Sequence, residues 1–149
     1  MKSRLLIALL FYCSNLFAQD FNINENINTI TVKGVTFKKV QDQLVKHGYI
    51  ISKCDGQSKN IQTRFGRYNL KNDLLNLSIR VHVQDSVAVI TGRMCFNLNN
   101  VRNGIPDSTN SWSAKFTHGP DKEAFLLMNG FAQSFNKEVI YSRTSQGTN

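Results

Sequence analysis

Between Leu74 and Phe96 the chain alternates apolar and polar residues on either side of one short interruption, and few folds accommodate that pattern. Leu75, Leu77, Ile79, Val81 and Val83 share one parity; Asn76, Ser78, Arg80, His82 and Gln84 share the other. Successive side chains of a strand point to opposite faces, so one face here is buried and the other wet. That is the habit of an antiparallel sheet. Asp85-Ser86 then turns the chain into Val87–Phe96 (VAVITGRMCF). With a two-residue turn, Gln84 faces Val87 and the inner pairs become Val83 with Ala88, Val81 with Ile90, Ile79 with Gly92, Leu77 with Met94 and Leu75 with Phe96. Every such pair is apolar or glycine. A slip of one residue sets the apolar row against Val87, Thr91 and Arg93, so burial selects the register. The outer row then places Arg80 beside Thr91, Ser78 beside Arg93 and His82 beside Val89.

The flanking segments supply the rest of a domain. Residues 28–33 (NTITVK) read as a strand that Gly34 breaks. Thr36 is a candidate N-cap for a helix over 37–47, whose stripe is Phe37, Val40, Leu44 and Val45. Gly48 suits the left-handed stop. Tyr49–Cys54 and Asn60–Phe65 read as strands. Residues 97–119 form a long excursion rich in Asn, Ser and Gly, with a short strand around Trp112–Thr117. Pro120 opens a second helix, with Asp121 and Glu123 at its positive end. Its apolar stripe is Ala124, Leu127, Met128, Phe131, Phe135 and Val139. The order strand, helix, four strands, helix predicts a two-layer α+β domain: an antiparallel sheet with both helices on its apolar face and the other face open.

The chain has 149 residues, enough for one domain, and only 19% are charged against 41% hydrophobic, which separates it from disordered polar chains. Lys2 and Arg4 precede an apolar run from Leu5 to Tyr12, and Leu16-Phe17-Ala18 ends in a small residue. This is the layout of a secretory signal peptide, with cleavage expected near Ala18 and an uncleaved anchor as the alternative. The run is shorter than the ~20 apolar residues of a membrane span, and no later stretch reaches that length. The expected organisation is a leader at 1–18, a flexible arm at 19–27, one α+β domain at 28–141 and a polar tail at 142–149. Periplasmic or secreted localisation follows.

Without residues 1–18 the chain holds 16 Lys and Arg against 10 Asp and Glu, a net +6. That balance favours anionic surfaces or acidic proteins as partners, and export makes nucleic acid a poor one. Cys54 and Cys95 remain after the leader. An oxidising compartment favours a disulfide between them, whereas a plain meander sets them at opposite ends of the sheet, beyond bridging distance. Both outcomes stay open at this level.

Several residues carry a resemblance to known families. The Ala18-Gln19 boundary, a helix ending near Gly48, Ile51 through Asp55 to Ile61 and Thr63, and Leu77-Ser78-Ile79-Arg80-Val81-His82-Val83 through Asp85 to Ile90-Thr91 resemble small exported Bacteroidetes-type domains of unknown function with a TATA-binding-protein-like fold. The likeness spans roughly residues 28–140. A second resemblance is to the helix-grip domains of outer-membrane assembly lipoproteins, without the lipid-attachment cysteine that marks those. Both imply an accessory role in the cell envelope. Neither implies a reaction or a functional residue.

Chemistry-bearing motifs are sparse. His47, His82 and His118 form no HxxxH or HExxH spacing, no Cys-x-x-Cys pair exists, and the acids are scattered, so no metal or cofactor is expected. A glycosidase needs two opposed carboxylates, yet Glu25, Glu123 and Glu138 are the only glutamates after the leader. Asp55 and Asp85 suit turns. There is no GxSxG elbow. No catalytic residue is assigned; the enzymatic alternative is a secreted hydrolase using His82 and His118 as acid and base. A second alternative is a carrier holding a small amphipathic ligand among Phe37, Phe125, Met128, Phe131 and Phe135. The favoured expectation is a non-catalytic binding domain. Its candidate surface is the open sheet face with Arg64, Arg80, His82 and Arg93, or the 97–119 loop with Trp112. Forked arginine donors there suit carboxylate or phosphate.

Overall fold

The computed structural model describes residues 26–69, 74–95, 101–102, 105–106 and 111–144. The expected leader at 1–18, most of the arm at 19–27, Phe96, much of the 97–119 excursion and the last five residues lie outside the described residues. In chain order the elements are β1 (Thr29–Lys33), α1 (Phe37–Lys46), β2 (Ile51–Asp55), β3 (Asn60–Thr63), β4 (Gly66–Asn69), β5 (Leu74–Gln84), β6 (Val87–Cys95), β7 (Val101–Arg102), β8 (Ile105–Pro106), β9 (Trp112–Ser113), α2 (Gly119–Gln133) and β10 (Val139–Ser142). β7 and β8 pair with each other; the other eight strands form one antiparallel sheet. The α+β class is as expected.

The β5–β6 hairpin has the register that burial selects, from Gln84 opposite Val87 through Ile79 opposite Gly92 to Asn76 opposite Cys95. Both turn residues, Asp85 and Ser86, have positive φ (49° and 61°), the handedness that matches the twist of a two-residue hairpin. Around this hairpin the order is β10-β1-β6-β5-β3-β2, with β4 beside β5 and β9 beside β6. Two corrections follow. A short strand, β10, stands after the second helix and pairs with β1, aligning Val32 with Val139 and Thr29 with Ser142. α2 ends at Gln133, so Phe135 belongs to the following turn and Val139 to a strand. Asn136, at φ 52°, sits in the left-handed conformation that stops a helix.

The strand pairings make β1 parallel to β2 and β6 parallel to β10. Both connections therefore cross over the sheet, and each uses a helix to do so. α1 begins as its sequence dictates: the Thr36 hydroxyl accepts from Lys39 N–H at 3.3 Å. Gly48 adopts φ 79° just past the helix end. Val40 and Leu44 of α1 and Ala124, Phe125, Met128, Phe131 and Ala132 of α2 are buried. They close over Ile30, Val32, Ile61, Leu75, Leu77, Ile79, Val81, Ala88, Ile90 and Met94 of the strands. The core lies between that sheet face and the helices. No helix among the described residues is long and apolar enough to cross a membrane.

Candidate functional site

The sheet face away from the helices is read directly from strand pairing. Lys53 pairs with Gln62, Gln62 with Arg80, Arg80 with Thr91 and Ser78 with Arg93, and all lie on that face. Arg80 and Arg93 are diagonal neighbours across the hairpin, roughly 7–8 Å apart at Cα. Lys53 is two strands from Arg80, roughly 10 Å. All three are exposed. Arg67 reaches the same face by pairing with Asn76 and is also exposed. By register Asp55 is a carboxylate on this face, and it is committed to a turn. Its oxygens accept from the Ser58 hydroxyl at 2.6 Å and from the Gln57 and Ser58 amides. Those bonds, the hydroxyl first, hold its pKa below the usual aspartate value.

Polar side chains tie the face together. His82 Nδ1 is 3.1 Å from Asn60 Oδ1. That oxygen only accepts, so Nδ1 carries the proton. Arg80 Nη2 approaches Gln62 Oε1 at 3.4 Å, a long contact. Arg93 Nη2 donates to the Ser111 carbonyl at 2.7 Å, which moors the residue that leads into β9. The face is not wet along its whole length. Ser78 and Asn76 are buried, and the Ser78 hydroxyl donates to Thr63 O at 2.7 Å.

Of the five expected binding residues, Arg80, His82 and Arg93 share this face. Arg64 falls at a break in strand alternation: β3 aligns Ile61 with Val81, yet Gly66, not Phe65, meets Leu77. One residue is therefore extra between β3 and β4, and the Thr63 hydroxyl fills the ladder by accepting from Ile79 N–H at 2.8 Å. Arg64 is exposed at this bulge, and alternation assigns it to neither face. Trp112, expected in the 97–119 loop, stands in β9 on the helix side of the sheet. It pairs with Met94, whose side chain is in the core, and its indole N–H donates to Asp121 Oδ1 of α2 at 2.8 Å. Trp112 therefore belongs to the helix layer. The residues missed by sequence reasoning are Lys53 and Arg67. A second bulge, at Ser52, moves Lys53 off the face of Ile51, and only pairing to Gln62 reveals it.

His82 and His118 are not brought together. His118 precedes α2 in the helix layer, near the Arg93 end of the sheet, where Ile27 bridges Phe116. His82 lies on the other face, two residues from the β5–β6 turn. Among the described residues no three His, Cys, Asp or Glu side chains cluster. Of the aromatic set proposed to hold a carried ligand, Phe125, Met128, Phe131 and Phe135 are buried in the core, where Phe131 and Phe135 meet edge to face at 5.2 Å, and Phe37 is partly buried at the core's edge.

Cys54 and Cys95 are free thiols. Through Ile61 and Val81, Cys54 is level with Ile90, three strands away, and Cys95 is five residues further along β6. The Cα atoms are then roughly 20 Å apart, against the ~7 Å limit for a bridge. Cys54 is exposed and accepts from Gln41 Nε2 at 2.9 Å, while burial raises the pKa of Cys95. In a Cys13→Ser background, a thiol reagent should therefore titrate one cysteine of the native protein and the second only on denaturation. Cys54→Ser should abolish the native-state reaction. Equal reactivity of both thiols in the folded protein would contradict the burial of Cys95.

Compared with models of known protein families and with curated proteins, the chain matches none.

Proposed function

We propose that this chain is an exported, non-catalytic binding domain of the cell envelope that takes an anionic partner on the uncovered face of its sheet. The observation that carries this reading is the cluster of exposed cations Lys53, Arg67, Arg80 and Arg93 on that face; Asp55, the carboxylate that the register puts beside them, accepts hydrogen bonds from its own turn. Arginine forks at this spacing suit successive carboxylate, sulfate or phosphate groups of an extended partner better than one compact ion. Lys33 also points to this face, and Glu138 pairs with it at 3.2 Å. The basic start, apolar run and Ala18 boundary support export.

The test is binding to dextran sulfate at low ionic strength, with uncharged dextran as the control. Lys53→Glu with Arg80→Glu should weaken binding at least tenfold and flatten its salt dependence. The melting temperature should stay close to that of the parent, because both side chains are exposed and away from the core. Unchanged affinity in that variant would sink the basic-face reading. Protein recovered from the envelope should have an intact mass starting at Gln19; a mass that retains residues 1–18 would remove the cleaved, exported part of the proposal.

A further inference from the structure

Next to the basic face, at the rim of the sheet, lies a cleft of about 680 Å³. Its walls are the first turn of α1, the β2–β3 turn at Gln57–Lys59 and the β5–β6 turn. That volume is in the range of small-molecule sites, about 300–1,000 Å³, and far exceeds what a bare ion needs. Lys59 Nζ stands 5.3 Å from the centroid of the Phe37 ring, so an ammonium and an aromatic surface share one wall. His82 lines the cleft and also stands on the uncovered sheet face, which makes the two surfaces continuous. Lys38 adds a second ammonium, paired with Asp42 at 2.9 Å, and Asp85 is the one carboxylate in the lining.

Two further features agree with an anionic occupant. α1 has no acidic residue in its first turn, whereas α2 has Asp121 there, so the positive end of α1 meets the cleft without a carboxylate of its own. Lys59 holds a left-handed φ of 54° at the cleft wall, which fixes the turn that carries its ammonium, while the positive φ values of Asp85 and Ser86 belong to the two-residue hairpin turn itself. Amide and hydroxyl side chains at Gln57, Gln84 and Ser86 supply donors and acceptors for neutral hydroxyl groups.

We propose that the cleft takes one carboxylated sugar unit of an acidic glycan, the chain of which continues across the basic sheet face; this rests on the polyanion reading above. The carboxylate sits against the Lys59 ammonium, and His82 adds a second donor when both of its ring nitrogens carry protons; the ring hydroxyls meet the amide side chains, and Phe37 offers its ring to the apolar side of the sugar.

The experiment is an NMR titration of the isotope-labelled chain with tetragalacturonate, in parallel with inorganic phosphate and uncharged maltotetraose. The Phe37, Lys59 and Ser86 amides should shift and saturate with tetragalacturonate, at least tenfold more tightly than with either comparison compound. Lys59→Asn should weaken that binding at least tenfold. Asparagine tolerates the left-handed backbone, so the turn should keep its shape. His82→Gln gives a second variant with the same expected direction. Phosphate binding as tightly as tetragalacturonate overturns the sugar assignment in favour of a simple anion subsite. Shifts confined to Lys53, Arg80 and Thr91 overturn the cleft and leave the sheet-face reading standing. No shift anywhere at millimolar concentration overturns both.

Discussion

Gly92→Ala is expected to destabilise the domain by about 1–3 kcal/mol, although the change adds only one methyl group. Gly92 lies in the middle of β6, opposite Ile79, on the face that α2 covers. A Cβ built there overlaps Met128 Sδ and comes within 3.1 Å of Leu77 Cδ1 and 3.3 Å of Ala114 Cβ. A flexible methionine at a surface would swing aside, but Met128 and Leu77 are fully buried and have no solvent to move into. The gain from restricting the unfolded chain, about 0.5–1 kcal/mol, opposes the overlap and is smaller than it. Urea unfolding of Gly92→Ala, Met128→Ala and the double variant separates the terms. Met128→Ala alone should cost about 2–5 kcal/mol by leaving a cavity. In the double variant the added methyl occupies part of that cavity, so the two losses should fall short of their sum by about 1 kcal/mol or more. Additive losses would mean that Met128 is not what Gly92 makes room for.

The same close approach explains why part of the fold was legible in the sequence. The hairpin could be read because its period is 2 over twenty residues and because Gly92 fell in the apolar row as a gap that a helix side chain fills. Thr36 and Gly48 marked the limits of α1 by local backbone chemistry alone. β10 could not be read in this way. Val139 continues the four-residue spacing of Phe131 and Phe135, so a helical stripe and a new strand coincide in sequence; the break is signalled only by Asn136. The position of β1 between β6 and β10 was hidden for a different reason. Local pattern says that Ile30 and Val32 are buried on one face, and nothing in five residues names their neighbours.

The candidate site was legible to the extent that alternation was unbroken. Arg80, His82 and Arg93 lie in the uninterrupted hairpin, and all three occupy the expected face. Bulges defeat that inference, because one extra residue transfers everything beyond it to the other side. Arg64 sits at such a point, and Lys53 joins the basic face because Ser52 is inserted opposite Gln62. Trp112 belongs to a two-residue strand, too short to show a period. Its side is set by pairing with Met94, a contact made across eighteen residues of chain. The cleft at the rim was illegible altogether, since it joins residues of three separated turns.

Phe131→Ala should be the most damaging single truncation in the helix layer, with an expected loss of about 3–5 kcal/mol. The ring is 1% exposed. It meets Phe135 edge to face at 5.2 Å, Tyr49 at 5.8 Å and His47 at 6.1 Å. Two of those partners lie at the end of α1 and in the link to β2, so the ring couples α2 to the other crossover as well as filling the core. Removing it leaves a cavity that faces two helices at once, and neither can collapse inward without dragging a strand connection. A domain of this size has roughly 5–15 kcal/mol of stability in total, so the variant should melt far below the parent and bind a hydrophobic dye near room temperature. Leu126 is in the same helix but is 41% exposed, and Leu126→Ala should change stability by less than about 1 kcal/mol. If the two truncations cost the same in urea unfolding, the seating of α2 on the sheet is wrong. A loss at Phe131 several times that at Leu126 places the end of α2 where the fold requires it, against the sheet and beside the end of α1.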